Sequence, residues 1–178
     1  QLNVDCGLPS AGTGTTVVGL RYLPSGQLEA TSNGCLCEGW GVGIATAGGA
    51  EVASGSANND RGGANGLSLV SFASTATTAT SVVSMGTSLE ITHAFSPSAV
   101  STLYSVKVSI TNTSGAVIDD LRYTRTFDWD VDPTTFNEFV TIGGSAAATA
   151  VLSATDNGFV DSNPFAARPL LIGGTGDF

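Results

Sequence analysis

The chain has 178 residues, a net charge of −9 and 12% charged residues, about half the usual globular share. Hydrophobic residues make up 42% and mean hydropathy is +0.23, which excludes a disordered acidic tail, while the negative sign repels phosphate backbones and argues against nucleic-acid binding. No apolar run is long enough for a transmembrane helix.

The length suits a single domain over residues 1–178 with a core of its own. Gln1 leads straight into a strand-like Leu2-Asn3-Val4-Asp5-Cys6, as expected of a mature exported chain whose leader has been removed. Leu2 and Val4 mark a candidate donated or exchanged strand, tethered at its base by Cys6. With 3 cysteines, at most one internal disulfide forms. Cys35 and Cys37 are poorly placed to bridge each other on extended backbone. Cys6 with Cys37, or with Cys35 as the alternative, would close a loop of about 30 residues, on the order of 3–4 kcal/mol in the chain-entropy model. Three reduced, buried thiols are the competing reading. The scarcity of lysine, with Lys107 alone, and the wealth of Ser and Thr point to export. The Cys and His spacing does not suit zinc.

Short runs rich in Val, Ile, Thr and aromatics, punctuated by Gly, Asn, Asp and Pro, carry almost no helical periodicity. Thr16–Leu23 reads as a strand before a turn at Pro24-Ser25-Gly26, and Gly39–Thr46 as an alternation of small and apolar residues before a turn at Gly48-Gly49. Ser54–Gly66 reads as a flexible polar loop with no element of its own, and Leu67–Ser74 with Ala79–Ser84 as a hairpin pair. In Thr87–Phe95, the residues Leu89, Ile91, His93 and Phe95 share a face. In Ser101–Asn112, Tyr104, Val106, Val108 and Ile110 face one way and Ser105, Lys107, Ser109 and Thr111 the other, which is half-buried antiparallel alternation. Asn112-Thr113-Ser114-Gly115 supplies a turn into a long strand over Val117–Asp130. Glu138–Ile142 and Ala148–Ser153 continue the pattern, and 156–178 reads as an irregular tail. The fold class is therefore all-β: one antiparallel sandwich, immunoglobulin-like or jelly-roll-like, with an open edge that a neighbouring chain could complete.

Leu121–Phe139 carries the strongest candidate chemistry. Strand alternation puts Leu121, Tyr123, Arg125, Phe127, Trp129 and Val131 on one face and Asp128, Asp130 and Asp132 on the other. The three carboxylates, with Asp119, Asp120 or Glu138, could hold Ca²⁺, although Pro133 stands where an EF-hand loop needs Gly; otherwise Arg122 or Arg125 partners a solvated strand end. Asp156, Asn157, Asp161 and Asn163 form a second oxygen-rich loop that turn chemistry explains. The Asn112-Thr113-Ser114 turn fits a glycosylation acceptor at Asn112.

Catalytic signatures are missing. His93 is the only histidine and lies in register with apolar neighbours, Ser145 in GGSAA lacks the second Gly of a nucleophile elbow, and Gly12–Thr16 lacks the Lys of a phosphate-binding loop. Paired-carboxylate chemistry would have to use Asp128 with Asp130 or Glu138. Trp40 and Trp129 read as core or interface anchors, with sugar stacking as the other use; Gly39 and Gly41, on either side of Trp40, let a neighbouring strand approach.

VSITNTSGAVIDDLRYTRTFDWDVDPTTFNEFVTI resembles a segment of exported bacterial surface proteins of the PEP-CTERM type, as do CEGWGVG at Cys37–Gly43, Leu67–Ser74 and GTGDF at Gly174–Phe178. The likeness runs from about Cys37 onward. The Asn112–Gly115 hairpin is also similar to that of CARDB-type immunoglobulin-like modules. In the resembled proteins further strands follow the GDF segment, so processing, an incomplete record or completion of the sheet by another subunit is expected. The resemblance implies no enzyme and no cofactor. The expected role is an extracellular structural subunit or surface module, self-associating or binding other surface proteins. The alternatives are a Ca²⁺-dependent carbohydrate-binding module and, third, a secreted hydrolase.

Overall fold

The structure is a computed structural model that describes residues 21–22, 28–29, 38–58, 63–100, 103–129, 134, 137, 139–141, 154–155, 157–166 and 173–174. Every regular element among them is a strand. In chain order these are β1 (Arg21–Tyr22), β2 (Leu28–Glu29), β3 (Glu38–Ala45), β4 (Glu51–Asn58), β5 (Gly63–Asn65), β6 (Ser68–Ser74), β7 (Ala79–Met85), β8 (Leu89–Pro97), β9 (Tyr104–Asn112), β10 (Asp120–Phe127), β11 (Val140–Thr141) and β12 (Gly173–Gly174). Two four-stranded antiparallel sheets carry the architecture, one ordered β10-β3-β4-β5 and the other β6-β7-β8-β9. Two small ribbons, β1-β2 and β11-β12, complete the described strands. The antiparallel sandwich expected from the sequence is the architecture found.

Alternation builds the core. β3 sends Trp40, Val42 and Ile44 inward, where they meet Val83 and Met85 of β7 and Leu89 and Ile91 of β8. On β8 the burial pattern alternates strictly, with Leu89, Ile91, His93 and Phe95 inside. On β9, Val108 and Ile110 pack against this cluster while Ser105, Lys107 and Ser109 stay exposed. Burial of side chains such as Leu and Ile contributes roughly 1.5–3 kcal/mol each.

The reverse face of β3 is covered as well, so all eight of its residues are buried. Gly39, Gly41 and Gly43 alternate with the core residues and form a track under the segment 157–166. A Cβ added at Gly39 would stand 3.2 Å from the Phe159 ring, and one at Gly43 would stand 2.6 Å from the Phe165 ring. At Gly41 it would lie 1.8 Å from the Ser162 carbonyl oxygen, so only glycine fits there. Asn58 donates to the Phe159 carbonyl (3.0 Å) and to the Ser162 hydroxyl, and the Arg122 guanidinium lies 4.7 Å from the Phe165 ring centre. The glycines beside Trp40 were expected to admit a neighbouring strand; what lies against them is this irregular segment. Of the tail 156–178, expected to be irregular, 157–166 holds no strand but Gly173–Gly174 forms β12, and Phe159 is only 2% exposed.

Several expectations need correction. Ser54–Gly66 is not a loop without an element: β4 runs through Asn58, β5 occupies Gly63–Asn65, and the two pair antiparallel. Its inward positions are small because Leu67 needs the room, a Cβ on Gly55 standing 2.7 Å from Leu67 Cδ2. Asn112–Gly115 does not close a hairpin between adjacent strands. β9 pairs with β8, whereas β10 crosses to the other sheet and pairs with β3 along its whole length. The long strand begins at Asp120 and ends at Phe127 rather than spanning Val117–Asp130. Val117 stands 86% exposed in the crossing.

Gly41→Ala is expected to lower stability by about 1–3 kcal/mol, as overpacking does, and to expose 157–166 to limited proteolysis. Chemical denaturation and mass mapping of the first cleavage sites would check both effects.

Candidate functional site

Three places are candidates for chemistry or binding. The first lies inside the sandwich. His93 Nε2 and the Tyr123 hydroxyl share a 2.8 Å hydrogen bond, and the imidazole packs 4.6 Å from Trp40 between ring centres. Beside them Arg125 pairs with Glu38, its guanidinium 4.6 Å from the Phe127 ring centre and 5.9 Å from that of Phe95. Burial, followed by the nearby Arg125 charge, pulls the His93 pKa down to about 4. Burial also pushes the Tyr123 hydroxyl well above its ordinary range. His93 is 2% exposed, so it fills a core position, in line with its register in the sequence. A neutral imidazole closed off from solvent is a packing and hydrogen-bonding group.

The second place is a cleft of about 760 Å³ on the outer face of the first sheet, lined by Ser54, Ser56, Asn65, Asp161, Ser162 and Asn163 together with Gly55 and Gly66. Most of its polar groups are already engaged in holding 157–166. Ser54 donates to Glu51 Oε1 (2.6 Å) and Asn163 to Glu51 Oε2 (2.8 Å), and these bonds hold the Glu51 carboxyl below its ordinary pKa. Asp161 Oδ1 accepts from the Asn163 backbone N–H, and Asn163 Oδ1 from that of Phe165. The oxygen-rich loop read from Asp161 and Asn163 is thus a pair of Asx-type turns, while Asp156 is outside the described residues.

The third place is a sheet edge. β6 is a seven-residue strand, Ser-Leu-Val-Ser-Phe-Ala-Ser, at the end of its sheet, and every residue in it is exposed. Among the described residues it pairs on one side only, with β7. Leu69 stands opposite Val83, and Phe72 opposite Ser81, both of which are buried. Leu69 and Phe72 therefore point toward the interior layer, yet they remain 62% and 48% exposed, and Val70 between them 56%. The opposite sheet ends in β5, a strand of three residues.

Two of the other three sheet ends, β9 and β10, differ. β9 carries Lys107, exposed on its outer face, and β10 carries Asp120 and Arg122, whose ion pair measures 2.8 Å. Charges on an edge oppose strand addition; β6 has none. Sequence reasoning placed Leu67–Ser74 correctly in a hairpin but missed that it is an open edge. The signal was the absence of any charge in an apolar run with adjacent Leu69 and Val70. A register shift between Leu69 and Ser71 marks a bulge at that point.

Of the residues singled out in the sequence, Asp128 follows the end of β10 and is half-buried, whereas Asp130 and Asp132 lie outside the described residues. No group of three metal-ligating side chains occurs among the described residues. Arg122 pairs with Asp120 and Arg125 with Glu38. Trp40 is a core anchor at 7% exposure, and Trp129 stacks on Phe127 with ring centres 4.7 Å apart. Asn112 is exposed in its turn, its amide donating to the Ala116 carbonyl (2.6 Å) and its carbonyl accepting from the Ser114 backbone and hydroxyl. Cys6, Cys35, Cys37, Leu2, Val4 and Ser145 fall outside the described residues. No described helix is long and apolar enough to cross a membrane. Compared with protein-family models, curated proteins and solved structures, the chain matches none, so nothing there identifies the exported surface family it resembles.

His93 makes stability depend on pH. Its pKa is lower folded than unfolded, so the unfolded chain binds the proton first and stability falls as pH drops below about 6.5. A loss of about 2 kcal/mol between roughly pH 6.5 and 5 is expected. Urea denaturation across this range should show it, and His93→Gln should flatten the slope.

Proposed function

We propose that the protein is an extracellular structural subunit or surface module that assembles, into a filament, a layer or an adhesive matrix, through edge-strand pairing and apolar contact. The observation that carries this reading is β6: an uncharged strand at a sheet end, exposed along its full length, with Leu69, Val70 and Phe72 uncovered. Such an edge is a template for another chain, because its backbone N–H and C=O groups offer a ladder and its side chains offer apolar area. His93 and most of the polar groups in the cleft beside Asp161 are engaged in holding the fold, which favours the edge as the working surface. The acidic, lysine-poor composition fits a chain working outside the cell, among other surface proteins or copies of itself.

Sedimentation velocity over a wide concentration range would test the assembly. Association that strengthens with concentration is expected, and Leu69→Lys should weaken it at least tenfold, about the loss of one buried aliphatic side chain, without changing the strand signal in circular dichroism. A chain that stays monomeric at every concentration would refute the proposal.

A further inference from the structure

We infer that the occupant of the β6 edge is β6 of a second copy, paired antiparallel about a two-fold axis that passes beside Phe72. This pairing rests on the assembly reading and commits it to one partner and one register. Charge argues first for a second copy. Each chain carries −9 overall, so two copies repel over most approaches. β6 offers seven residues without a charge, whereas β9 and β10, each longer than β5, bring Lys107, Asp120 and Arg122 to their edges. The strand itself offers a partner of opposite sign no ion pair. A copy of the same acidic chain meets there the longest sheet end on which like charges do not face each other.

The register follows from geometry. A two-fold axis normal to a sheet sets each residue of one strand opposite a residue of the same face, so the axis passes beside one residue and its symmetry mate. The bulge between Leu69 and Ser71 disturbs regular pairing in the first half of β6. The regular half is Ser71–Ser74, which pairs with β7 residue for residue. Its one large apolar side chain is Phe72, whose neighbour across β7 is the small Ser81, and whose ring is 48% exposed. Centring the pair there sets Phe72 against Phe72 of the second copy, and Ser71 against Ala73. The half-exposed ring on each side is then covered by its mate, and two sheets of four strands become one continuous sheet across the contact.

A charge-swap experiment on the full chain tests this arrangement, because only a residue that faces its own copy behaves differently alone and mixed. Phe72→Lys and Phe72→Glu are each expected to associate at least tenfold more weakly than the parent chain in sedimentation velocity. An equimolar mixture of the two should associate at least tenfold more tightly than either variant alone. With oxidised glutathione added as the electron acceptor, Phe72→Cys should also form a disulfide between the two substituted positions, the glutathione being reduced, and peptide mass spectrometry would identify it. A mixture no tighter than its components, with no such cross-link, would overturn the two-fold pairing while the parent still assembled. A parent chain that fails to assemble at all would remove the assembly reading too. Since Phe72 is half exposed, near-ultraviolet circular dichroism of each variant should match the parent, and a variant that does not match is replaced by Phe72→Gln mixed with the parent, for which no gain on mixing is expected.

Discussion

Burial of β3 on both faces is the constraint on which the rest of the structure depends. One strand face supplies Trp40, Val42 and Ile44 to the inter-sheet core, and the other supplies a glycine track to the segment 157–166. A strand with large side chains on both faces would hold the tail away by several ångströms. Because Gly41 meets the Ser162 backbone directly, the tail can lie flat, and its own anchors, Phe159 and Phe165, fill the ground beside Gly39 and Gly43. The first sheet is thus the middle layer of a local three-layer stack, although the tail adds no strand to it.

That arrangement also explains where polar groups go. Under the tail, Asn58, Glu51, Asp161 and Asn163 satisfy one another and the backbone of an irregular segment that has no ladder of its own. Between the sheets, His93, Tyr123, Arg125 and Glu38 form a polar and aromatic row at one end of the core. Removing one partner of a buried ion pair strands the other charge, so these residues specify how the two sheets meet more than they add to stability. Both groups resemble sites at first sight, with titratable side chains and a concavity, and both are spent on architecture.

What the fold does not cover is the far edge. The two sheet ends are unequal, β5 having three residues and β6 seven, and the apolar side chains of β6 are left exposed. Isolated exposed leucines are ordinary on protein surfaces, but a continuous uncharged strand at a sheet end is a liability that natural sheets usually blunt with lysine, proline or a bulge. β6 has only the bulge. An edge retained in that state, on a chain with so few charges, is consistent with a surface used for pairing.

Alternation was legible in the sequence wherever one strand face is apolar and the other polar. The inward faces of β8 and β9, the hairpin of β6 and β7, the core position of His93 and the anchoring by Trp40 were readable from local alternation and turn signals. Small residues hid the rest: Ser54-Gly55-Ser56-Ala57 has no apolar contrast to show, and it becomes strand because Leu67 and the tail require small neighbours. The sheet exchange after Asn112 was equally out of reach, since a turn sequence does not say which strand will pair with β10. Only tertiary structure could decide that β6 is left open, because a strand's exposure depends on which other strands pair and pack with it. Chain-local patterning determined the strands and their inward faces; long-range packing determined which of them lack a neighbour.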